Sequence, residues 1–443
     1  MASMEWKNLL SPHRLGSDRP GKITPERSPF QRDFDRLIFS GSFRRLQDKT
    51  QVFPLSRNDY VRTRLTHSLE TSSIGRSLGT GAGVFICDEF DVGGAHPSDI
   101  GAAVAAAALA HDIGNPPLGH AGEEAIRYWF TDTAEGEKVR QFMSSAEAAD
   151  IERYDGNAQG FRIMSRLEMP DHNGGMQLTC ATLGTFAKYP GGSQASLKKC
   201  GFFCQDAELF KEVADSCGLI ECGKWQWKRH PLSYLLEAAD DIAYLTVDFE
   251  DAQRLGLVEY GELEKYFLDI IDSESSRKYV ASLTSHTRKT EFLRAQAIGV
   301  LVREASKVFI EHHDELLSGT LTASLTELIP QKDILSQIRS RSADDIYNHR
   351  SVAEVIGAVF ELVQGMLDIF VPCVNELAEE KATGKKASYR SRRIAAILPD
   401  LDLPRAVCGS DHYCRLLQIL DYISGMTDHY AVSLYQKLKG ISL

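Results

Sequence analysis

Apolar residues recur at helical spacing in segment after segment of this chain. The stretches "FDRLIFSGSFRRL", "YLLEAADDIAYLTVDFEDA", "SVAEVIGAVFELVQGMLDIF" and "RLLQILDYISGMTDHYAVSLYQKL" place apolar side chains three or four residues apart. Short alternating patterns bounded by turn residues, which are typical of strands, are scarce. The pattern therefore predicts an all-α protein.

Composition supports one globular body. The 443 residues are 43% hydrophobic and 25% charged, which is ordinary for a folded domain. Breaks rich in Gly, Pro or charge fall at 191–194 and after Glu379, but both are short for an interdomain linker. We predict an N-terminal helical segment over 1–59 packed on a core over 60–260, with a C-terminal helical region of the same body over 261–443.

The charge balance restricts the partners. A net charge of −11 excludes a surface that is basic overall, so a contact with nucleic acid or membrane would need a local patch. One such patch is "KATGKKASYRSRR", at 381–393, which either grips phosphates or forms a solvated linker. The N-terminus has no signal-peptide pattern and no apolar run approaches about 20 residues, so we expect a cytoplasmic protein without a membrane segment.

Nine cysteines are scattered along the chain and predict reduced thiols rather than a disulfide framework. A structural zinc cluster is an alternative interpretation of four of them, but the spacing is loose and no paired histidine follows. These four are Cys200, Cys204, Cys217 and Cys222.

The stretch "HDIGNPPLGHAGEEA" carries the first candidate chemistry. The preceding "GAAVAAAALA" is a strong helix former with small side chains, and it places His111 and Asp112 near the helix end. The Gly-Asn-Pro-Pro segment forces a loop. A second helix over 121–130 then puts His120 and Glu123 on one face. The alternative is a capped helix, an ordinary loop and a surface histidine.

Two further stretches add polar groups. "YVRTRLTHSLE" places Arg64 three residues before His67, although a lone histidine there would usually be packing. In "LSYLLEAADDIAYLTVDFEDA", Asp240, Tyr244 and Asp248 form a line along an apolar helix. Carboxylates are almost never buried without a counter-charge or a metal, because desolvation costs several kcal/mol. A solvated helix face is the alternative interpretation.

Together these stretches predict a metal centre with two imidazoles and two carboxylates. Such a mixed N/O set suits one divalent ion such as Mn²⁺, Fe²⁺, Co²⁺ or Mg²⁺. The ion can polarise a phosphoryl oxygen and lower the pKa of a water, as phosphoester hydrolysis requires. His120 is free for proton transfer, Glu123 could orient its ring, and Arg62 with Arg64 could neutralise phosphate charge. The predicted ligands are His67, His111, Asp112 and Asp240.

The order His67, His111-Asp112, Asp240 resembles the HD superfamily of metal-dependent phosphohydrolases. A closer resemblance covers nearly the whole chain and is to the bacterial deoxyguanosinetriphosphate triphosphohydrolase family. It rests on "SPFQRDFDRLIFSGSFRRLQDKTQVFPL", "RTRLTHSLE", "HDIGNPPLGHAGE", "DGNAQGFRI", "QLTCATLGTFAKYP", "EAADDIAYLTVDFEDA" and "DYISGMTDHYAVSLY".

This resemblance implies an all-α HD-domain core with additional C-terminal helices and a single divalent metal. It implies hydrolysis of dGTP, or of other dNTPs, to a deoxynucleoside and inorganic triphosphate. His120 and Glu123 match the family's catalytic pair, and the four ligands above match its metal ligands. The residues that fall where the family contacts sugar and phosphates are Gln51, Arg62, Arg64, Asn157, Lys188, Tyr189, Tyr244 and Asp248.

The resemblance also implies partners. Family members form hexamers or tetramers, so a homo-oligomer is expected, and a nucleotide activator and single-stranded DNA are candidate partners. "KWQWKRH", at 224–230, interleaves aromatic and cationic residues as single-strand binding requires, or else it is an exposed helix cap.

Two rival functions stay open. An HD phosphodiesterase or 5′-nucleotidase would use the same metal chemistry on another substrate, and the identity of the released phosphate separates it. A nucleotide-sensing or DNA-binding protein without turnover is the second rival, and single-turnover assays with added Mn²⁺ separate that one. The preferred base, the physiological metal and any activator stay open.

Overall fold

The chain is helical over almost its whole described length, which confirms the predicted all-α class. This computed structural model describes residues 3–19, 21–22, 27–51, 62–195, 199–343, 350–398 and 412–442. In the first half the α-helices are α1 Trp6–Leu9, α2 Pro29–Ile38, α3 Gly41–Arg45, α4 Arg64–Glu89, α5 Pro97–Ala110, α6 His120–Asp132, α7 Ala134–Arg140, α8 Ser145–Glu152, α9 Gly156–Arg162, α10 Cys180–Phe186 and α11 Ala207–Cys217.

The second half continues in the same way. Its α-helices are α12 Pro231–Ala243, α13 Phe249–Arg254, α14 Tyr260–Ile271, α15 Glu274–Ser282, α16 His286–Glu311, α17 His313–Ser318, α18 Lys332–Ser342, α19 Arg350–Thr383, α20 Tyr389–Ala395, α21 His412–Ser424 and α22 Asp428–Leu438. Tight or widened single turns lie at Leu46–Asp48, Ile163–Leu167, Ser193–Ala195, Cys204–Asp206, Tyr244–Asp248 and Leu325–Glu327. In the described part of the chain, strands occur only in one antiparallel hairpin, β1 Glu221–Gly223 and β2 Gln226–Trp227.

Helices α4, α5 and α12 form the frame of the site. Small residues let α4 and α5 approach closely: a Cβ added at Gly79 would lie 2.9 Å from the Gly101 Cα. The alanines of α5 are buried, as the sequence predicts. Pro97 opens α5 at a position where no backbone N–H is needed. The frame is therefore tightly packed behind the residues that face the cavity.

Two large apolar clusters fill the described part of the protein. The first contains side chains of α1–α5 and α10–α18. The second contains side chains of α6–α8 and α19–α22. Helices from the predicted core range and from the C-terminal range thus share an interior. The three-part division stays a prediction, and its boundary at 59/60 lies outside the described residues.

Among the described residues, α19 is long and apolar enough to cross a membrane by composition, with a mean hydropathy of 1.7 in its most apolar window. The sequence predicts no membrane segment here, because Glu361 and Asp368 interrupt the apolar run. Half of the window is buried inside the protein, and the Trp129 indole N–H donates to Asp368 at 2.7 Å. A buried core helix passes the same test, so α19 is weak evidence for a membrane segment.

The segment 200–230 holds neither a zinc cluster nor an open aromatic strip. The only His/Cys/Asp/Glu group in the described residues that could hold a metal lies elsewhere and contains no cysteine. In the hairpin, Trp227 is buried and packs on Phe202 and Phe210. His230 caps α12 by accepting from the Leu232 N–H, but it is buried. The segment therefore does contain a helix cap, at His230, but this capping residue is buried and not exposed as expected.

The basic stretch at 381–393 ends α19 and, after a loop, forms part of α20. Its cations pair locally, with Lys385 Nζ lying 3.2 Å from Glu379 Oε1 and Arg392 Nε lying 3.8 Å from Glu380 Oε2. These exposed pairs contribute little stability. They reduce the local excess of positive charge that a phosphate would meet.

Candidate active site

Three helices bring two imidazoles and a carboxylate together. His67 lies near the start of α4, His111 directly after α5, and Asp240 on α12. Asp240 Oδ1 lies 3.1 Å from His67 Nε2 and 3.4 Å from His111 Nε2. The candidate ligand atoms lie within 4.8 Å of one another. Two nitrogen donors and one oxygen donor at this spacing fit a single divalent transition metal.

The His111 ring is held in the tautomer that a metal requires. Its Nδ1–H donates to the Ala108 carbonyl at 2.7 Å, so Nε2 carries the lone pair and faces Asp240. His67 points Nδ1 toward Asp248 Oδ1 at 3.8 Å and Nε2 toward Asp240. Both rings thus direct Nε2 to the same point, which supports the fit of a metal to this site.

Asp112 is oriented differently from the other three predicted ligands. Its Oδ2 lies 2.8 Å from the Arg64 guanidinium and 3.5 Å from His111 Nε2, and the Asn115 amide donates to Oδ1. Burial disfavours its charge, yet Arg64 and His111 hold the pKa of Asp112 below its ordinary value. Asp112 is therefore an ionised group beside the cluster, and its role as the fourth ligand stays a prediction.

Lys188 supplies a cation on the other side of the cluster. Its Nζ lies 2.5 Å from Asp240 Oδ2. Burial acts to raise the pKa of Asp240, but Lys188, His111 and His67 hold it well below the usual range. The carboxylate is therefore ionised and available to a metal through Oδ1.

His120 begins α6 and lines the cavity in front of this cluster. Partial desolvation, and then the cations Arg64 and Lys199, lower the pKa of its imidazole. Gly119 precedes it with φ +61°, and a Cβ there would lie 2.4 Å from the Arg64 guanidinium. Only glycine fits this close approach, which places the Arg64 cation beside the loop that carries His120.

The cavity has a volume of about 600 Å³, enough for a nucleotide-sized ligand. Helices α4, α6, α12, α18 and α19, together with the turn directly after α5, contribute to its walls or edges. Seven of the predicted site residues line it, namely Gln51, Arg64, His111, Asp112, His120, Asp240 and Tyr244.

The comparisons with known proteins agree with this geometry. The HD domain family matches residues 64–165. A deoxyguanosinetriphosphate triphosphohydrolase-like protein of Synechocystis is 41% identical, covering 99% of this chain and 100% of its own. One of Pseudomonas aeruginosa is 39% identical over 99% of both chains, and the deoxyguanosinetriphosphate triphosphohydrolase of Salmonella paratyphi A is 29% identical over 100% of both. This chain belongs to the deoxyguanosinetriphosphate triphosphohydrolase family of HD-domain proteins.

Membership of this family makes the chain a relative of metal-dependent phosphohydrolases with nucleotide substrates. The HD match over 64–165 includes His67, His111 and Asp112, whereas Asp240 lies beyond it. The described geometry joins Asp240 to the matched region through its contacts with both histidines.

Five residues that the family resemblance assigned to the substrate do not line the cavity, namely Arg62, Asn157, Lys188, Tyr189 and Asp248. Arg62 donates instead to Glu70 and Glu250, at 3.1 and 3.3 Å, and to Asp251. Its guanidinium is thus neutralised by three carboxylates, and its role as a phosphate contact stays a prediction. The Asn157 amide donates to Asp155 at 2.8 Å.

The other members of the predicted set lie behind the cavity or beside it. Tyr189 lies under the Lys199 ammonium, 5.8 Å from the ring centre. Asp248 is buried behind His67, and burial raises its pKa to about 7. The Gln51 side chain faces Asp248 and partly offsets that rise. Asp248 therefore lies beside His67, 3.8 Å from its Nδ1, and its role as a substrate contact stays a prediction.

The sequence reading of this family member missed several cavity neighbours. The positive charge of Lys199 lowers the pKa of both His120 and Glu123. Asp241 and Arg339 line the cavity as a pair, 3.3 Å apart. Adjacency to Asp240 is a sequence signal for Asp241, whereas nothing local marks the other two.

Glu123 does not line the cavity, and its carboxylate contacts neighbouring parts of the protein instead. Its Oε1 accepts the Gly156 N–H at 2.8 Å, and Oε2 lies 3.6 Å from Arg127. In the described residues its hydrogen bonds do not include His120, so the orienting role stays a prediction. Burial, and then Asp155, raise the pKa of Glu123 to about 7.

This raised pKa gives a prediction for stability. Between pH 5 and 8 the unfolded chain ionises Glu123 before the folded chain does, so the native state loses stability as the pH rises. In Glu123→Gln this contribution is absent. We expect the melting temperature of the variant minus that of the wild type to increase from pH 5 to pH 8, by the equivalent of up to about 3 kcal/mol.

The control is Glu124→Gln, because Glu124 is exposed on the same helix and pairs with Arg127. Its difference from the wild type should stay flat over the same pH range. A flat difference for Glu123→Gln as well would mean that the buried carboxyl ionises normally.

Proposed function

We propose that this chain is a dNTP triphosphohydrolase. It hydrolyses dGTP, or another deoxynucleoside triphosphate, to the deoxynucleoside and inorganic triphosphate by attack on the α-phosphorus. The observation that carries the proposal is the convergence of His67, His111 and Asp240 on one cavity that also holds Arg64 and His120. Full-length similarity to triphosphohydrolases and triphosphohydrolase-like proteins supports it.

The metal would be held by His67, His111 and Asp240, with Asp112 as the proposed fourth ligand. A bound divalent ion such as Mn²⁺ or Mg²⁺ supplies charge stabilisation at a phosphoryl oxygen and lowers the pKa of a water. Ionised Asp240 and the Nε2 lone pair of His111 are what such an ion requires.

The chain's own cations bind the rest of the triphosphate. Arg64 is buried at the cavity and its Nε has no hydrogen-bond partner among the described residues. Lys188 lies against Asp240, and Lys199 lies near His120. Charge-assisted hydrogen bonds from these groups fix the α-phosphorus in one orientation. Orientation decides which bond breaks, because the α-phosphorus can lose either O5′ or the oxygen that bridges it to the β-phosphorus.

His120 moves the proton. With a lowered pKa its ring is neutral near pH 7, so it can take a proton from the attacking water and pass one to the departing O5′. The bond between the α-phosphorus and O5′ breaks, and the new bond joins the water oxygen to that phosphorus. The triphosphate then leaves as one piece.

Tyr244 is the proposed sugar contact. It lies one helical turn after Asp240 and lines the cavity. A ring packed on the deoxyribose would leave too little space for a 2′-hydroxyl. Ribonucleotides are therefore expected to be poor substrates.

Product analysis tests the proposal. Purified protein with Mn²⁺ is incubated with each dNTP in ¹⁸O-labelled water, and with GTP as the matched ribonucleotide. We expect deoxynucleoside and tripolyphosphate as the initial products, with the label in tripolyphosphate. GTP should have a much lower kcat/KM than dGTP. Label in a deoxynucleoside monophosphate would contradict the bond assignment. Hydrolysis of a deoxynucleoside monophosphate to deoxynucleoside and inorganic phosphate, with no dNTP hydrolysed, would favour a 5′-nucleotidase.

A further inference from the structure

A buried carboxylate near the C-terminus joins two walls of the cavity. Asp428, the first residue of α22, is 1% exposed. Its Oδ2 accepts the Thr50 N–H and its Oδ1 accepts the Leu118 N–H, both at 2.8 Å. These two amides lie 378 and 310 residues away in sequence. The carboxylate thus fixes the distance between the segment that contains Thr50 and the segment that contains Leu118.

Lys49 holds the same three segments together, and burial lowers the pKa of its side-chain ammonium to about 7. Its Nζ donates to the Asn115 carbonyl and to the Ser424 carbonyl, both at 2.6 Å. Lys49 is 2% exposed. One ammonium and one carboxylate thus bind the segment 49–51, the loop 114–119 and the turn between α21 and α22. We call Lys49 and Asp428 the buried clamp.

The segments held by the clamp carry cavity residues. Thr50 and Gln51 line one wall. Leu118 lines another, and it comes two residues before His120. Neither Lys49 nor Asp428 lines the cavity itself. Any effect of the clamp on the reaction rate must therefore come from the position of the backbone at Thr50, Gln51 and Leu118.

The loop before His120 needs an external support. Leu118 has φ +62° and Gly119 has φ +61°. Positive φ at a leucine is sterically unfavourable and persists only when the surroundings enforce it. The hydrogen bond from the Leu118 N–H to Asp428 is such a constraint. The strained backbone therefore lies at Leu118, two residues before His120, where it affects the direction of that side chain.

We propose that Asp428 is a positioning residue for the reaction, setting the place of His120 relative to the wall that carries Gln51. The inference rests on the proposed function, because the reaction it positions is triphosphate hydrolysis. The alternative is a purely structural role, here called a staple, in which Asp428 only attaches α21 and α22 to the rest of the protein. Misplacement of a catalytic group by about 1 Å can cost on the order of 10²-fold in rate, whereas a staple affects stability alone.

Asp428→Asn tests the proposal. The asparagine keeps one acceptor oxygen, but its NH₂ group faces the second backbone N–H and cannot accept from it. We expect kcat to fall about 10- to 100-fold with metal content unchanged and KM altered less than kcat. Hydrogen exchange at the Thr50 or Leu118 amide should accelerate in the same variant.

The matched control is Asp421→Asn on α21. Asp421 pairs with Arg162 at 2.8 and 2.9 Å, and it lines neither wall of the cavity. The same charge is lost from the same helical hairpin. We expect a lower melting temperature with kcat within about threefold of the wild type and with normal exchange at Leu118.

A second variant decides the matter if Asp428→Asn does not fold. Asp428→Glu keeps the charge and both acceptors but lengthens the arm by one carbon–carbon bond, about 1.5 Å. Positioning predicts a lower kcat at a similar melting temperature, and a staple predicts the wild-type kcat. Wild-type kcat and wild-type Leu118 exchange in a folded Asp428 variant would overturn the proposal.

The two proposals fail in different ways. If the wild-type chain hydrolyses no dNTP, the proposed function is wrong. Exchange at Thr50 and Leu118 still tests the clamp, and hydrolysis of bis(p-nitrophenyl) phosphate with Mn²⁺ serves as the rate measurement. If the wild type hydrolyses dNTPs and the Asp428 variants do so equally well, only the clamp is wrong.

Discussion

Asp240→Ala is expected to abolish metal binding and turnover while leaving the fold largely intact. Asp240 touches both histidines and Lys188, so its carboxylate is the one group common to the whole cluster. Removing it leaves two imidazoles, the Asp112 carboxylate paired with Arg64, and the Lys188 ammonium, which opposes binding of a divalent ion. We expect less than about one tenth of the wild-type metal content by elemental analysis, with activity at background.

The fold should survive because Asp240 faces the cavity. Its side chain is 28% exposed, so water can enter the space that the carboxylate leaves and solvate Lys188. The control is Glu237→Ala, one turn earlier on α12, where the carboxylate pairs with Arg229 at 2.9 Å. That variant should keep its metal. One equivalent of metal and normal turnover in Asp240→Ala would refute the ligand assignment.

His120→Ala is expected to slow dNTP hydrolysis by about 10²-fold or more while metal content stays at the wild-type level. Loss of a general acid or base typically costs 10²- to 10⁴-fold. The ring lines the cavity in front of the metal cluster and is exposed, so its removal leaves no buried void. The loss should therefore appear in kcat and not in the melting temperature.

Added imidazole separates proton transfer from packing. If His120 moves a proton, free imidazole should restore part of the lost rate in His120→Ala and none in Asp240→Ala. The product should remain tripolyphosphate, since the bond that breaks is set by how the α-phosphorus is held. Wild-type kcat in His120→Ala would remove this residue from the mechanism and leave Lys199 as the nearest alternative.

The sequence by itself predicted the helices that carry the site. Apolar spacing and the alanine-rich run placed α5 and α12, and α6 begins one residue before its expected start. Capping and helical periodicity act over a few residues, so they can be read locally. The same holds for Asp240, because a carboxylate on an apolar helix indicates a buried partner before the partner is known.

Tertiary structure alone decided how the charged groups pair. Arg62 and Arg64 lie two residues apart, yet Arg62 binds three carboxylates away from the cavity and Arg64 binds Asp112 at its edge. The stretch "YVRTRLTHSLE" does not separate the two, because it contains only Glu70, whereas the other partners, Glu250, Asp251 and Asp112, are distant in sequence. The clamp is the extreme case, since Asp428 acts more than 300 residues from the amides it holds. Helix formation depends on neighbours along the chain, whereas ion pairing depends on which helices pack together, and that is fixed only when the whole core forms.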